Sequence, residues 1–247
     1  VSEDAESTTA EFKKLIDQLV QWVNDMVNGF REFVGKWADS AWRYVLGPAV
    51  IAFDRGMKAL NEKITKIVQD IQKILEHSTP IVSIIVQGFS WLEDAQRPAS
   101  QLQGVVKEHP DANFGHWEGA ARKAYDDAVD AQHAALGAIK TKADNISSWL
   151  LDIAKANIMF VKELGDAFAA LVGEFVAVLV EAGTIVGALE AIGEAGKLVE
   201  KLVTTAGQRL TKVVEMYSEA VGRTRDATSI QYDAAEFPND KWPSLAG

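Results

Sequence analysis

Four histidines, at positions 77, 109, 116 and 133, are the side chains of this sequence best suited to ligate a metal or take up a proton near neutral pH. His109, Asp111 and His116 share one polar stretch with Pro110, the setting of a loop. A helix-borne metal site would show paired ligands one turn apart, as in H-E-x-x-H, and no such pair occurs. The three therefore read as loop residues in water. Carboxylates are spread too evenly for an acid/base pair to stand out, and neither a glycine-rich phosphate loop nor G-x-S-x-G is present. With cysteine absent there is no thiolate nucleophile, thiolate-bound metal or disulfide. The expectation is a protein that is not an enzyme and needs no cofactor or metal.

A formal charge of -10 over 247 residues, with no cluster of basic side chains, argues against nucleic acid as a partner. This length can bury a sizeable core, as one large domain or two small ones. Six prolines and abundant Ala, Val, Leu, Glu and Lys favour helix. The opening "VSEDAESTTAEF" has neither a basic start nor an apolar run, so a cleaved secretory signal is not expected.

The spacing predicts an all-α, elongated bundle of about five long antiparallel helices over residues 1–225 and a flexible C-terminal tail over 226–247. Thr8 and Glu11 have the spacing of a capping box and should start the first helix. Phe12, Leu15, Leu19, Trp22, Met26, Phe30, Phe33 and Trp37 then recur at helical steps, flanked by Ile16, Val23, Val27, Val34 and Ala41. Gly47 and Pro48 should end that helix and open the next. Phe53, Met57, Leu60, Ile64, Ile67, Ile71 and Ile74 form a heptad seam, which "HSTP" at 77–80 should stop. A third helical stretch from Ile81 should be interrupted near Pro98; its Ile and Val run also reads as a strand, but no partner strand is visible.

From Ala121 the helical rhythm continues to Ile192, with a break beyond Leu164 expected at Gly165, Gly173, Gly183 or Gly187. A last helix is expected over Lys197–Arg225, with Val199, Leu202, Ala206, Leu210, Val213, Tyr217 and Ala220 inward. Within this region residues 165–193 carry a broad apolar surface, with Asp166, Glu174 and Glu181 on one side. Its charge-free runs fall short of the ~20 residues of a membrane span, so it reads as bundle core. The alternative is a helix pair that opens and inserts into a membrane surface, as helical pore-forming toxins do.

Between two helical stretches lies "FGHWEGAARKAY", residues 114–125. Trp117 can cover the end of a helix pair with its indole N–H at the water boundary. Glu118 belongs in a first turn, at the positive end of the helix dipole. Gly119 admits a close neighbour, and Ala120, Ala121 and Ala124 let the preceding helix lie alongside. These features suffice for a well-made turn. The run "WEGAARKAY", continued by "DDAVDAQHAAL", also resembles the turn and second helix of the WXG100 superfamily, the helical-hairpin proteins exported by type VII (ESX) secretion systems, and their long PPE-type and EspB-like relatives. The resemblance covers roughly residues 80–165.

That resemblance implies a secreted or cell-envelope protein of actinobacterial type, exported without a cleaved signal peptide. It implies as partners the secretion machinery or a helical partner protein, and allows a homo-oligomer. It also implies that Trp117 and Gly119 form a recognition element. The family's second element, Tyr-x-x-x-Asp/Glu, is matched by Tyr232 and Glu236 in "YDAAEF". In fused members this element precedes the W-x-G turn; here that place holds "FSWLED", where Phe89 and Glu93 keep only the aromatic-to-acid spacing.

Overall fold

A computed structural model describes residues 2–38, 47–108, 117–231, 236–237 and 241–243. Among these residues there is no strand, and the expected all-α class holds. The elements are α1 (Glu3–Ala38), α2 (Gly47–Ser90), a π-helical turn (Trp91–Gln96), α3 (Arg97–Glu108), α4 (Ala120–Glu181) and α5 (Ile185–Gln231). Four of the helices are long and α3 is short.

Several boundaries differ from those expected, each for a local reason. The hydroxyl of Ser2 accepts the Ala5 N–H at 3.2 Å, and its carbonyl accepts the Glu6 N–H at 3.0 Å. Glu3, Asp4 and Glu6 add negative charge to the first turn, so α1 starts well ahead of Thr8 and Glu11, which lie inside the helix. Residues 39–46, Ala41 among them, lie outside the described residues; Gly47 is the first residue of α2, with Pro48 in its first turn. Pro80 does not stop α2. It removes one N–H from the helix ladder, while the next turns bury Ile81 and Ile85, each worth about 1.5–3 kcal/mol.

The interruption expected near Pro98 is the π turn just before it, where the Arg97 N–H reaches back to the Leu92 carbonyl. Helix α4 runs unbroken through Gly165 and Gly173 and ends at Glu181. Residues 182–184 turn the chain, and the Thr184 hydroxyl caps α5 by accepting the Gly187 N–H at 3.1 Å. The apolar segment 165–193 is therefore two arms of a hairpin, and the last helix begins at Ile185, not Lys197.

The chain divides into two compact units. One, the bundle unit, comprises Ala10–Pro80 and Ala156–Glu215. Its seams are Phe12, Leu19, Val23, Met26, Phe30, Phe33 and Trp37 from α1, and Phe53, Leu60, Ile64, Ile67 and Ile71 from α2. From α4 come Phe160, Leu164, Phe168, Leu171, Phe175 and Leu179, and from α5 Ala188, Ile192, Ala195, Val199 and Leu202. Alternating steps of three and four keep each seam facing its neighbours, as knobs-into-holes packing requires. At one end Phe33, Trp37 and Phe53 meet with ring centroids 6.3–6.4 Å apart. There the Lys36 ammonium donates to the Ala182 carbonyl at 2.9 Å, setting a positive charge on the C-terminal end of α4. Salt links Lys63 to Glu200, and Arg209 to Glu163 at 2.7 Å, tie helices along the unit.

The other, the hairpin unit, comprises Val1–Thr9, Ile81–Lys155 and Met216–Gly247. Here α2 and α3 run against the first part of α4. At Gly88 a β-carbon would sit 2.8 Å from Leu151 Cδ2 and 2.9 Å from its Cγ, so glycine makes room for the Leu151 side chain. The buried Ser147 hydroxyl donates to the Gly88 carbonyl at 2.7 Å. Further along, Gln103 Nε2 donates to the His133 carbonyl at 3.2 Å. Ile81, Ile85, Ala99, Ala135, Leu136, Ala143, Leu150 and Ala154 are buried in these helices, and the four alanines let them lie close.

Candidate functional site

Gly119 precedes the first residue of α4 and acts as its cap: its carbonyl accepts the Lys123 N–H at 3.2 Å. Its φ is +86°, a backbone region where an L side chain is strained. Among the described residues nothing lies within 4 Å of where a β-carbon would stand. The glycine is thus required by backbone conformation, and no described residue makes the expected close approach. Glu118 lies one residue outside the cap and is exposed, so it stands before the first turn, not in it. Ala120, Ala121 and Ala124 are exposed and seat no helix.

Trp117 packs its ring against Tyr125 at 5.9 Å between centroids, tilted by 57°, an edge-on geometry that suits the ring quadrupoles. It remains 43% exposed at the mouth of α4, which leaves a large indole surface in water. One turn in, Arg122 Nε donates to both carboxylate oxygens of Asp126 at 2.9 Å. This hydrogen bond raises the guanidinium pKa, desolvation works against it, and the direct charge attraction of Asp126 adds to the rise. The pair fixes a charged group one helical turn past Gly119.

Tyr232 lies outside the described residues. Glu236 is half-buried in a turn followed by Phe237. Phe237 and Trp242 meet at 6.4 Å, Lys142 lies over the Phe237 ring at 5.7 Å, and Gln132 Nε2 donates to the Pro243 carbonyl at 3.0 Å. The tail thus rests on α4 between Gln132 and Lys142. Sequence reading singled out none of Phe237, Trp242 or Lys142 and placed Gln132 only in the helical rhythm after Ala121; the aromatic spacing in "FPNDKWP" was the available signal. Phe89 is half-buried in α2 and Glu93 half-buried in the π turn.

His109, Asp111 and His116 lie outside the described residues, and among the described ones no group of three His, Asp or Glu side chains is placed to hold a metal. No described helix is long and apolar enough to cross a membrane. On α5, Leu210 is 52% exposed, contrary to its expected inward position. It borders a groove of about 380 Å³ floored by Phe160 and Phe168, opened where Ala206 and Gly207 occupy the seam in place of larger residues. Fold and site together define an all-α protein with an exposed aromatic at a helix mouth. No family model, curated protein or solved structure matches this chain.

Proposed function

We propose that this chain is a non-enzymatic helical protein carried by a type VII secretion system, either as substrate or as component. In this reading Trp117 and Gly119 form the gripped surface, and Tyr232 and Glu236 complete the signal. The observation that carries it is the 43% exposure of Trp117 on a glycine turn of φ +86°. A large aromatic left in water is costly for a turn alone and useful for a partner. Its partners would be the secretion machinery or a helical protein. Trp117→Ala and, separately, deletion of residues 226–247 should reduce export from a type VII-competent host while circular dichroism stays helical. Normal export of both variants leaves a structural turn and no signal.

A second reading, membrane activity, is favoured by Val180 at the end of α4 and Val186 at the start of α5, which are 61% and 66% exposed. An apolar hairpin end of this kind suits contact with a lipid surface. Dye leakage from anionic and neutral liposomes, with Val180→Ser/Val186→Ser as control, tests it. No leakage or binding at any pH removes it.

A further inference from the structure

The contacts of residues 236–243 assign a role to the outer face of α4. We propose that the face between Gln132 and Lys142 is a docking seat for an aromatic-bearing peptide, filled at rest by the chain's own tail and open to such a peptide in trans. The seat has complementary parts. Lys142 presents a cation to the face of Phe237, the Trp242 ring lies 6.4 Å from that ring at a tilt of 52°, and Gln132 donates to the Pro243 carbonyl. The carbonyl of a proline is its one backbone hydrogen-bonding group, so the glutamine reads main chain there and the lysine reads an aromatic side chain.

Ten residues of helix separate Gln132 from Lys142, about 15 Å at the helical rise. The hold is light: Trp242 stays 45% exposed, and Gln132 and Lys142 are only half-buried. A weakly held tethered segment keeps its seat through effective concentration, on the order of millimolar for a short tether. A free peptide of the same chemistry displaces it only near that concentration. The inference stands without the export reading.

The chain has no cysteine, so a thiol pair can be placed without background. In the full chain carrying Gln132→Cys and Pro243→Cys, a short bis-maleimide should give a cross-linked monomer as main product. Adding Phe237→Ala should slow that reaction about threefold or more, the value of one exposed cation–π contact. A synthetic peptide of residues 234–247 should compete at about millimolar concentration. Absence of cross-link, or a rate unchanged by Phe237→Ala, overturns the seat. A cross-linked dimer overturns the intrachain arrangement in favour of tail exchange between copies, and failure of the peptide to compete overturns docking in trans.

Discussion

Replacing Gly119 tests the helix mouth at its mechanical centre. A φ of +86° costs an alanine about 1–2 kcal/mol, and less for asparagine, which visits positive φ more readily. Because nothing lies within 4 Å of the missing β-carbon, no steric clash adds to this cost. The penalty is local, falling on the first turn of α4, whose entry bond is Lys123 N–H to the Gly119 carbonyl at 3.2 Å. A loss of 1–2 kcal/mol is a factor of about 5–30 in the opening equilibrium of that turn. Amide hydrogen exchange at Lys123 should therefore speed up by about 5–30-fold in Gly119→Ala and by less in Gly119→Asn, with little change in the thermal midpoint. The near-ultraviolet signal of Trp117 should weaken in step, since its packing on Tyr125 depends on the same turn. Equal exchange in the glycine and alanine proteins, or asparagine behaving worse than alanine, would refute the reasoning.

Other perturbations follow from the packing. Leu202→Ala should cost about 2–5 kcal/mol in urea unfolding, because Leu202 is 1% exposed, while Leu210→Ala should cost under about 0.5 kcal/mol. Gly88→Ala forces a β-carbon against Leu151, and its overpacking cost of about 1–3 kcal/mol should outweigh the ~1 kcal/mol gained in helix propensity. Gly173→Ala meets nothing within 4 Å and should raise stability by about 0.5–1 kcal/mol in the same assay. The Glu200 carboxyl is held below its ordinary range by the hydrogen bond from Lys63, and next by that ammonium's charge. Its small contribution is present above the ordinary carboxylate pKa and is lost as pH falls through the depressed folded value. Carbon-detected NMR titration of Lys63→Met should return Glu200 to the usual carboxylate range.

Much of the architecture was legible in the residues themselves. Most of the seams from Phe12 to Trp37 and from Phe53 to Ile74 are buried where their spacing placed them, with Leu15, Trp22, Met57 and Ile74 half-buried, and Gly183, one of four candidate breaks, marks the turn. Helical periodicity is a local property: which residues share a face depends only on their separation along the chain. The W-x-G pattern marks Gly119, but its φ of +86°, the conformational reason for a glycine, is a property of the folded turn.

What local pattern does not contain is whether another helix arrives. Leu202 and Leu210 follow the same rhythm on α5, yet one is buried and the other stands in water beside a groove. Pro80 reads as a stop, and burial of Ile81 and Ile85 beyond it carries the helix through. Gly88 is unremarked in sequence until Leu151 is set against it, and Phe237 and Trp242 are tail residues until Lys142 and Gln132 meet them. Sequence alone determined which faces are apolar, because that follows from side-chain order on a rod of known pitch. Only tertiary structure decided which of those faces are covered, because coverage is set by residues distant in the chain.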